Sequence, residues 1–543
     1  MRNKTAIILL LTMLPALLFA EPVGLLQAQR QAEAVMGKHM TRMPNTVTRS
    51  TADLQLPYYI FMAEDGMGFC IVAANDTLPA ILGYSRENKV TSAEAMPDGL
   101  KLYLKHISLL ESNKMDALDI QVSPVVEPLC PSSWGQDKPY NNLCPLKDGQ
   151  ACPTGCVATA MAQIMYRWQW PEQGIGYSWA KDGVGETYHG SLEHVYDWAS
   201  MCATTAENIV SEAASEAVST LLYDCGLSVN MNYKTDGSGA VSPIKAFYTN
   251  FGFIPTTLRM HHRDCYTADE WLALIKNELS NGRPIFYSAF ETSAGGDLSG
   301  HAFIVDGYDE TDYVHVNWGW DGTWNGYFPL ARLNPGGHLY NVGQRMTLGI
   351  EPARNGETGT PIEYPFISSP LKCSIGTSMR KSQAFTVSVF DISNPNANSH
   401  TWQLSMGIFD TKGQMLGEIK SGPVPSVALS SGYITSSGTT INCKLKDSTP
   451  NGDYALRLLF RESGDTEWLQ PDIYGGFTKS AIYIRINGTK VDITDGTDYI
   501  RTAVREVRND SPSTINYYDL QGRPAVNPHQ GIYVRNGRTV LFR

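Results

Sequence analysis

The amino-acid sequence predicts an α+β protein of several domains, on two patterns in its hydrophobic residues. Segments with helical periodicity at about residues 207–225 and 267–281 give way, from Pro284 onward, to short runs typical of strands. Farther along, residues 362–487 hold alternating apolar and polar runs separated by turn residues, which indicates a β-sandwich. We therefore expect helices followed by a sheet, with a cleft between them, and then the sandwich.

The first twenty residues have the pattern of a secretory signal peptide. Arg2 and Lys4 precede an apolar run that ends at Leu18-Phe19-Ala20, and the small Ala20 marks the expected cleavage point. The run is short for a membrane-spanning helix, so an uncleaved anchor is the weaker alternative. No later segment is apolar enough to span a bilayer. We expect an exported protein with no transmembrane segment after signal removal.

Length and linker composition divide the rest of the chain. A chain of 543 residues can hold about three or four domains. Polar or Pro- and Gly-rich stretches separate the blocks, and a strand pair around Asn536-Gly537 forms the expected last hairpin. The expected units are a signal peptide at 1–20, a small α+β unit at 21–125, the helix-and-sheet domain at 126–352, the sandwich at 362–487 and a C-terminal region at 488–543.

Charge and cysteine content exclude some functions. The net charge is −11, and there is no dense Lys/Arg cluster, so a nucleic-acid partner is not expected. The ten cysteines are sparse for this length and allow disulfides without requiring them, and their pairing cannot be derived. No Cys/His set has zinc-like spacing, so we expect neither a metal nor a cofactor.

The stretch CPTGCVATAMAQIMYRWQWP contains the most chemically suggestive cysteine. From Cys156 onward small and apolar residues predict a buried helix, with Thr154 as the expected N-cap and Gly155 leaving space above the thiol. A thiol in the first helical turn lies at the positive end of the helix dipole, which favours the thiolate nucleophile. Cys152 precedes Pro153 and lacks that placement. The alternative is that Cys156 is a buried, inert cysteine.

A thiolate needs a base, and His301 is the candidate. It lies at the start of the predicted strand HAFIVDGY and directly follows Gly300, while His315 is the nearest competitor. Asn317 falls on what should be the adjacent antiparallel strand, where its amide oxygen could orient the imidazole. Trp318 and Trp320 could shield that hydrogen bond from water; the alternative is that these aromatic residues belong to the core, which we expect for Trp320.

An oxyanion donor is expected near the nucleophile. Gln136 lies in the loop SSWGQDKPYNNLCP that leads towards the Cys156 helix. Its side-chain amide and the backbone N–H of Cys156 would make two donors to a developing negative charge. Taken alone, a solvated loop amide is the simpler interpretation of Gln136.

The order Gln, Cys, His, Asn, together with several longer motifs, resembles the streptopain family of secreted papain-like cysteine peptidases. The matching text is WGQDKPYN, GCVATAMAQIMYRWQWP, MNYKTDGSGA, GHAFIVDGYD and HVNWGWDGTWNGYF, while GFCIVAANDTLPAILGYS resembles the inhibitory prodomain of the family. The resemblance implies a papain-like catalytic domain, a zymogen and endopeptidase activity on protein substrates, with the chain's own prodomain as inhibitor. It transfers Cys156 as nucleophile, His301 as base and Gln136 as oxyanion donor.

Other site residues follow from the resemblance less directly. Asn317 and Trp318 match the region of the family's third catalytic member. The segment from Ser238 to Ser242 corresponds to a wall of the substrate-binding cleft, so Ser238, Gly239, Ser242 and Gly300 are the expected substrate contacts. The resemblance also implies a preference for an apolar side chain one residue before the cleaved one.

The C-terminal tail resembles the sorting domain used by type IX secretion. The matching text is DLQGRPAVNP followed by GIYVRNGRTVLFR. The resemblance implies type IX machinery as a partner, and export past the outer membrane to the medium or the cell surface. The alternative is an ordinary last hairpin of the sandwich.

The expected function is therefore a secreted cysteine endopeptidase made as a proenzyme. One alternative is another acyl-transfer enzyme on the same fold, such as a transglutaminase-like amine transferase. The other is a surface adhesion protein with a degenerate catalytic domain, against which the presence of Cys156, His301 and Gln136 argues.

Overall fold

The computed structural model describes most of the chain from residue 22 to residue 495. The signal-peptide prediction for residues 1–20 lies outside the described residues. The described ranges are 22–43, 57–75, 78–89, 96–97, 100–101, 103–104, 125–240, 242–266, 268–292, 298–329, 344–361, 363–396, 398–411, 413–473 and 481–495, with isolated strands at 517–518, 524–525, 531–535 and 538–542.

The N-terminal unit has a helix packed on a four-stranded antiparallel sheet, and residues 100–101 and 103–104 are also helical. Helix α1 (Leu25–Met36) buries Ala28, Ala32 and Met36, which recur every four residues and face the sheet. It ends at Gly37, whose φ of 67° is the left-handed conformation common at helix C-termini. The strands are β1 (Met40–Arg42), β2 (Tyr58–Ala63), β3 (Met67–Ala73) and β4 (Ile81–Lys89).

The described part of the next region contains four helices, which pack on both faces of the sheet described below. The two helices predicted near 207–225 and 267–281 are observed, the first displaced towards the C-terminus because Ser211 is its N-cap and accepts from Ala214 N at 3.1 Å. The helices are α2 (Cys156–Trp168), α3 (Glu212–Ser228), α4 (Ile244–Thr249) and α5 (Ala268–Ser280), with 3₁₀ turns at Ala206–Asn208 and Arg263–Cys265. Short strands beside them are β5 (Leu146–Lys147), β6 (Gln150–Ala151), β7 (Tyr177–Asp182), β8 (Thr187–Ser191) and β9 (Asn232–Tyr233).

The second half of this region forms a sheet that the N-terminal unit extends. Its strands are β10 (Arg259–His262), β11 (Ile285–Thr292), β12 (Leu298–Tyr308), β13 (Val314–Asn317), β14 (Gly326–Phe328) and β15 (Arg345–Leu348). Strand β4 pairs with β14, so a ten-stranded sheet runs in the order β1-β2-β3-β4-β14-β13-β12-β11-β15-β10. The prediction of an α+β fold with helices before strands is confirmed.

The N-terminal unit and the six-stranded half of the sheet share one hydrophobic core. Phe69 of β3 packs on Trp324 with ring centroids 4.7 Å apart, and Tyr84 of β4 stacks on Tyr327 at 5.5 Å. At the junction Tyr84 Oη donates to Asp309 Oδ2 at 2.6 Å. Burial of large aromatic side chains is the main stabilising term here, since each removes about 150–250 Å² from water.

Residues 366–494 form the predicted β-sandwich. Its largest sheet has the order β18-β29-β28-β26-β21-β22, with β23 also pairing with β21. Strand β29 pairs with β28, so this sheet continues past the predicted boundary at residue 487. The strands are β16 (Phe366–Ile367), β17 (Lys372–Cys373), β18 (Ser378–Arg380), β19 (Phe385–Val389), β20 (Ile392–Ser393), β21 (His400–Phe409), β22 (Met415–Glu418), β23 (Ser426–Leu429), β24 (Ile434–Thr435), β25 (Thr439–Cys443), β26 (Gly452–Glu462), β27 (Asp472–Ile473), β28 (Ala481–Asn487) and β29 (Lys490–Thr494).

The sandwich rests on the outer strand of the ten-stranded sheet. Arg259 of β10 donates to Asp472 Oδ1 at 2.9 Å, and its guanidinium lies 3.5 Å from the centroid of the Tyr364 ring. Next to it the rings of His262 and Phe366 lie 5.0 Å apart. The contact therefore combines an ion pair with cation–π and ring packing.

The tail contains the predicted hairpin. Strand β32 (Gly531–Arg535) pairs with β33 (Arg538–Phe542), with Arg535 opposite Arg538 across Asn536-Gly537. Two short strands, β30 (Tyr517–Tyr518) and β31 (Pro524–Ala525), complete that small sheet. None of the helices that the structure describes has the length and hydropathy needed to span a bilayer.

Candidate active site

Cys156 is the first residue of α2 and faces an open cleft. Its helix continues inward, and Val157 to Met165 are buried; all of them except Gln163 are small or apolar. The N-cap is Gly155, with a φ of 89°, and not the predicted Thr154, whose hydroxyl instead bonds to that of Thr159 at 2.9 Å. The thiol is half-buried at the positive end of the helix dipole, as predicted.

The surroundings of Cys156 lower the pKa of its thiol below the ordinary value. Burial opposes the thiolate, but the hydrogen bond and the charge of His301 favour it, assisted by the backbone N–H groups of Ala302 and Val157. The favourable contacts outweigh the burial, so the proton-free nucleophile forms at a lower pH than on a free cysteine.

His301 lies on β12 and is almost fully buried. Its Nε2 lies 2.9 Å from the backbone oxygen of Trp318. A carbonyl can only accept, so Nε2 carries the proton and Nδ1 is the ring nitrogen left for the Cys156 thiol. His315, the alternative candidate for the base, contacts a different residue, since its Nδ1 lies 2.6 Å from Asp306 Oδ1.

The group that orients the imidazole is a backbone carbonyl and not the predicted side chain of Asn317. Asn317 Nδ2 donates to Ser132 O at 2.7 Å and to Gln163 Oε1 at 3.0 Å. Its Oδ1 accepts from Gly319 N at 3.1 Å. These bonds direct the amide into the protein beneath the site, away from His301. The prediction of a direct Asn317–His301 contact is therefore wrong.

Both tryptophan rings lie near the imidazole of His301, with that of Trp318 at a centroid distance of 6.5 Å, and the prediction that Trp320 is simply a core residue is wrong. Trp318 is fully buried and its indole N–H donates to Trp324 O at 3.0 Å, so its side chain belongs to the core while its carbonyl serves the site. Trp320 lines the cleft, with its ring 6.4 Å from that of His301. Trp320 is therefore the tryptophan that covers the imidazole of His301 on the side of the cleft.

Gln136 lies in the cleft wall beside Cys156. Its backbone oxygen accepts from Thr154 N at 3.0 Å, which ties its loop to the segment just before the nucleophile. Its carboxamide has no hydrogen-bond partner among the residues that the structure describes. The donor is therefore available to a group bound in the cleft.

Three of the four predicted substrate contacts lie in the cleft, which has a volume of about 680 Å³. Ser238, Gly239 and Gly300 line it, and Ser238 Oγ donates to Pro153 O at 2.8 Å. Ser242 is outside the lining and instead accepts from Ile244 N at 3.4 Å at the start of α4. The prediction for Ser242 is therefore wrong.

The sequence reasoning missed the charged groups of the cleft. Acidic and basic side chains both line the walls of the cleft. They occur within the sequence motifs named above, next to Gln136 and just before Ser238. That proximity was the available signal. The charged lining residues are Asp137, Lys138, Lys234, Asp236 and Asp321.

Comparison with known proteins identifies the chain. Residues 134–328 match the family model described as the peptidase C10 family, and residues 20–109 match the one described as Spi protease inhibitor. Streptopain of Streptococcus pyogenes is 30% identical over 330 residues, which cover 54% of this chain and 80% of streptopain. The chain belongs to the peptidase C10 family. The predicted fold class, with a prodomain ahead of a papain-like catalytic domain, and the predicted enzyme class, a cysteine peptidase, are confirmed.

Two further relatives of this peptidase C10 chain are known. The thiol protease/hemagglutinin PrtT of Porphyromonas gingivalis is 34% identical over 397 residues, which cover 65% of this chain. The match spans only 44% of that longer relative. A solved fragment of Prevotella intermedia prointerpain A is 29% identical, covers 57% of this chain and 99% of the fragment, and has a TM-score of 0.49.

Proposed function

We propose that the chain is a proenzyme whose catalytic domain hydrolyses peptide bonds with Cys156 as nucleophile and His301 as general acid and base. The observation that carries the proposal is the bond from His301 Nε2 to the Trp318 carbonyl at 2.9 Å, beside a thiol at a helix N-terminus. It gives the Nε2 proton a fixed acceptor, so Nδ1 is the ring nitrogen that exchanges a proton with Cys156. Both residues open onto a cleft large enough for a peptide segment.

The acylation half-reaction follows from this arrangement. The Cys156 thiolate attacks the carbonyl carbon of the substrate, and the carbonyl electrons move to oxygen as the C–S bond forms. When the tetrahedral intermediate collapses, the C–N bond breaks and the His301 imidazolium gives its Nδ1 proton to the leaving amine. The product is a thioester on Cys156 and a neutral imidazole.

Deacylation reverses the proton movements. The neutral imidazole of His301 takes a proton from water while the water oxygen attacks the thioester carbon. The C–S bond then breaks, a carboxylic acid leaves, and the thiolate–imidazolium pair is restored. The Trp318 carbonyl accepts from the same ring nitrogen throughout, so the imidazole keeps one orientation in both steps.

The Gln136 carboxamide and the backbone N–H of Cys156 stabilise the oxyanion. Gln136 lies in the wall of the cleft with its donor unused, and a helix N-terminus presents N–H groups without intrahelical partners. Removal of one such donor from an oxyanion hole costs about 10²–10³ in kcat. Ser238, Gly239 and Gly300 form the neighbouring wall along which the substrate backbone lies.

Export and tail sorting complete the proposal. The signal-peptide pattern at 1–20 and the sorting-like text at 488–543 support a protein exported past the outer membrane by type IX machinery. The last hairpin, Gly531–Arg535 with Arg538–Phe542, is the element that such machinery would meet. Deletion of 496–543, which spares strand β29 of the sandwich, should leave casein hydrolysis intact but retain the protein inside a host that possesses the machinery.

A comparison of three proteins tests the catalytic proposal. Residues 21–543 are prepared as wild type, Cys156→Ala and Cys152→Ala, then incubated with casein under reducing conditions while the chain mass is followed. The wild type should lose its N-terminal unit and digest casein, and Cys156→Ala should stay full length and inert. Cys152, four residues upstream and buried, is the matched control whose variant should keep activity.

The same experiment separates the alternatives. Incorporation of an added amine without casein cleavage would favour amine transfer on the same fold. Binding of a protein ligand without any turnover by the wild type would favour an adhesion protein. Full activity of Cys156→Ala would overturn the choice of nucleophile.

A further inference from the structure

Two buried carboxamides, those of Gln163 and Asn317, meet beneath the active site. Gln163 lies on α2, seven residues after Cys156, and is fully buried. Asn317 is the last residue of β13 and is 2% exposed. Neither lines the cleft, so neither contacts a bound substrate.

The pair joins the three segments that hold the candidate catalytic groups. Gln163 Oε1 accepts from Trp134 N at 3.0 Å and from Asn317 Nδ2 at 3.0 Å. Asn317 Nδ2 also donates to Ser132 O at 2.7 Å. The Ser132–Trp134 segment leads directly to Gln136, and the helix of Gln163 begins at Cys156.

A further bond of Asn317, beyond the 3.5 Å bond that its Oδ1 accepts from Gln163 Nε2, acts on the peptide unit that orients His301. Asn317 Oδ1 accepts from Gly319 N at 3.1 Å. The N–H of Gly319 and the C=O of Trp318 belong to one planar peptide group and point in opposite directions. Fixing that N–H therefore fixes the carbonyl that accepts from His301 Nε2. Asn325 Oδ1 holds the preceding N–H, that of Trp318, at 2.9 Å.

We propose that Gln163 and Asn317 are a positioning pair that sets the orientation of His301 through the Trp318–Gly319 peptide. The pair also fixes the positions of the Cys156 and Gln136 segments relative to His301. The inference rests on the proposed peptidase function and deepens it. Each amide both donates and accepts within the pair, which a carboxylate could not do: an aspartate at 317 would place an acceptor against Ser132 O and Gln163 Oε1. Buried amides of this kind make a network that specifies one arrangement.

The first readout of the test is the reactivity of the thiol and not peptide hydrolysis, so this readout does not depend on the identity of the substrate. The full chain is treated with iodoacetamide across a pH series, and alkylation of the peptide that contains Cys156 is followed by mass spectrometry. In Asn317→Ala the alkylation profile should move to higher pH than in the wild type, because His301 is no longer held against the thiol. The kcat for casein should fall by about tenfold to a hundredfold, the size of effect known for outer partners that orient functional side chains. KM should change little, since the pair lies outside the cleft.

Asn394→Ala is the matched control. Asn394 lies in the sandwich, is 1% exposed, donates from Nδ2 to Asn398 O at 2.7 Å and accepts from Asn396 N at 3.1 Å, the same two-residue turn that Asn317 makes with Gly319. Its variant should lower the unfolding temperature without moving the alkylation profile. A shift in Asn317→Ala no larger than in Asn394→Ala would overturn the proposal.

A second variant covers the case in which Asn317→Ala does not fold. Gln163→Met keeps the length and bulk of the side chain while it removes both acceptor bonds, and it should give the same shift and the same loss of kcat. An unchanged alkylation profile in a folded Gln163→Met protein would contradict the proposal. A wild type that alkylates at low pH yet hydrolyses no peptide would remove the proposed function and leave the positioning pair in place.

Discussion

Cys156 differs from eight other cysteines of the chain in the direction of its pKa shift. All ten are free thiols, and burial raises the pKa of eight, whereas His301 and two backbone N–H groups lower that of Cys156. The thiolate is thus favoured at one position by local contacts and disfavoured at the others by the protein interior. The eight are Cys70, Cys130, Cys144, Cys152, Cys225, Cys265, Cys373 and Cys443.

Substitution of His301 should reverse the shift at Cys156. With His301→Ala the burial remains and the imidazole contacts are lost, so the pKa of Cys156 should rise above its wild-type value. The fraction of thiolate at neutral pH falls accordingly, about tenfold for each pH unit of the rise. Iodoacetamide alkylation of Cys156 against pH measures this directly. His315→Ala, which removes an imidazole bound to Asp306, is the control and should leave the profile in place.

For single residues, the sequence predicts which side chains act at the site but not which backbone groups do. Cys156 and His301 could be predicted because a thiol at a helix start and a histidine at a strand start each have a recognisable context. The orienting acceptor is the carbonyl of Trp318, and every residue has a carbonyl, so no residue type marks it. Asn317 was assigned the wrong partner for the same reason: an amide can bond in several directions, and only the fold selects one.

Helix α2 depends on the glycine that directly precedes its first residue. Gly155 adopts a φ of 89°, and a Cβ there would lie 2.7 Å from Met231 Sδ and 3.1 Å from the Ser238 backbone oxygen. The glycine therefore allows both the turn into the helix and the close approach of the cleft wall. The sequence predicts open space at this position, whereas in the structure an added Cβ would press on the Met231 side chain and on the Ser238 backbone. Thr154 matched the N-cap preference but bonds within the loop instead.

Gly155→Ala should therefore lower both stability and activity. A left-handed backbone costs a residue other than glycine about 1–2 kcal/mol, and the contact with the Ser238 backbone adds to that cost. Gly149→Ala is the control, because Gly149 has a φ of 78° but nothing within 4 Å of its added Cβ. The thermal unfolding midpoint and the kcat for casein should fall in Gly155→Ala, while Gly149→Ala should lose some stability and keep kcat. Equal kcat in the two variants would show that the close approach is unimportant.

At the scale of the whole molecule, the sandwich is joined to the catalytic domain by specific contacts. The Arg259 guanidinium is held between Asp472 and the Tyr364 ring, and burial raises the pKa of Asp472 although Arg259 opposes this. Removal of one partner from a buried ion pair leaves an uncompensated charge, which is more costly than loss of an exposed pair. Composition predicts a linker between 352 and 362, but it cannot predict this contact, which joins residues 213 apart in sequence.

Asp472→Ala should destabilise the junction by about 3 kcal/mol, the lower end of the range for a broken buried pair. Asp492→Ala is the control, since Asp492 pairs with Lys490 on the surface of the same sandwich and such pairs contribute about 0–1 kcal/mol. Urea unfolding, followed by tryptophan fluorescence, compares the two variants with the wild type. A loss in Asp472→Ala no greater than in Asp492→Ala would mean that the junction depends on ring packing alone.

The sandwich should also show a pH-dependent stability. His400 Nε2 lies 2.5 Å from Glu363 Oε2 and its Nδ1 lies 2.9 Å from Glu462 Oε2. Burial alone would lower the pKa of His400, but the two carboxylates raise it overall. The stabilisation is therefore complete below about pH 6.5, the unfolded value, and is lost as pH rises through the higher folded pKa.

His400→Gln should accordingly lower the unfolding temperature more at about pH 6 than at about pH 9. The matched control is His189→Gln, because His189 stacks on Tyr177 and has no carboxylate partner among the described residues. Differential scanning calorimetry at the two pH values gives both differences. A loss in His400→Gln that does not change with pH would mean that the charge of the imidazole contributes nothing.

The pairing of β4 with β14 has a consequence for the kinetics of activation. Hydrolysis of the chain between the N-terminal unit and the catalytic domain would break a single covalent bond, but the paired strands and the shared aromatic core would still hold the two fragments together. Scission and dissociation are therefore separate steps, and the second obeys mass action: its extent depends on dilution and on competitors for the vacated strand edge. A nicked preparation at high concentration would remain a complex, and proteolytic removal of the freed fragment would make the change irreversible.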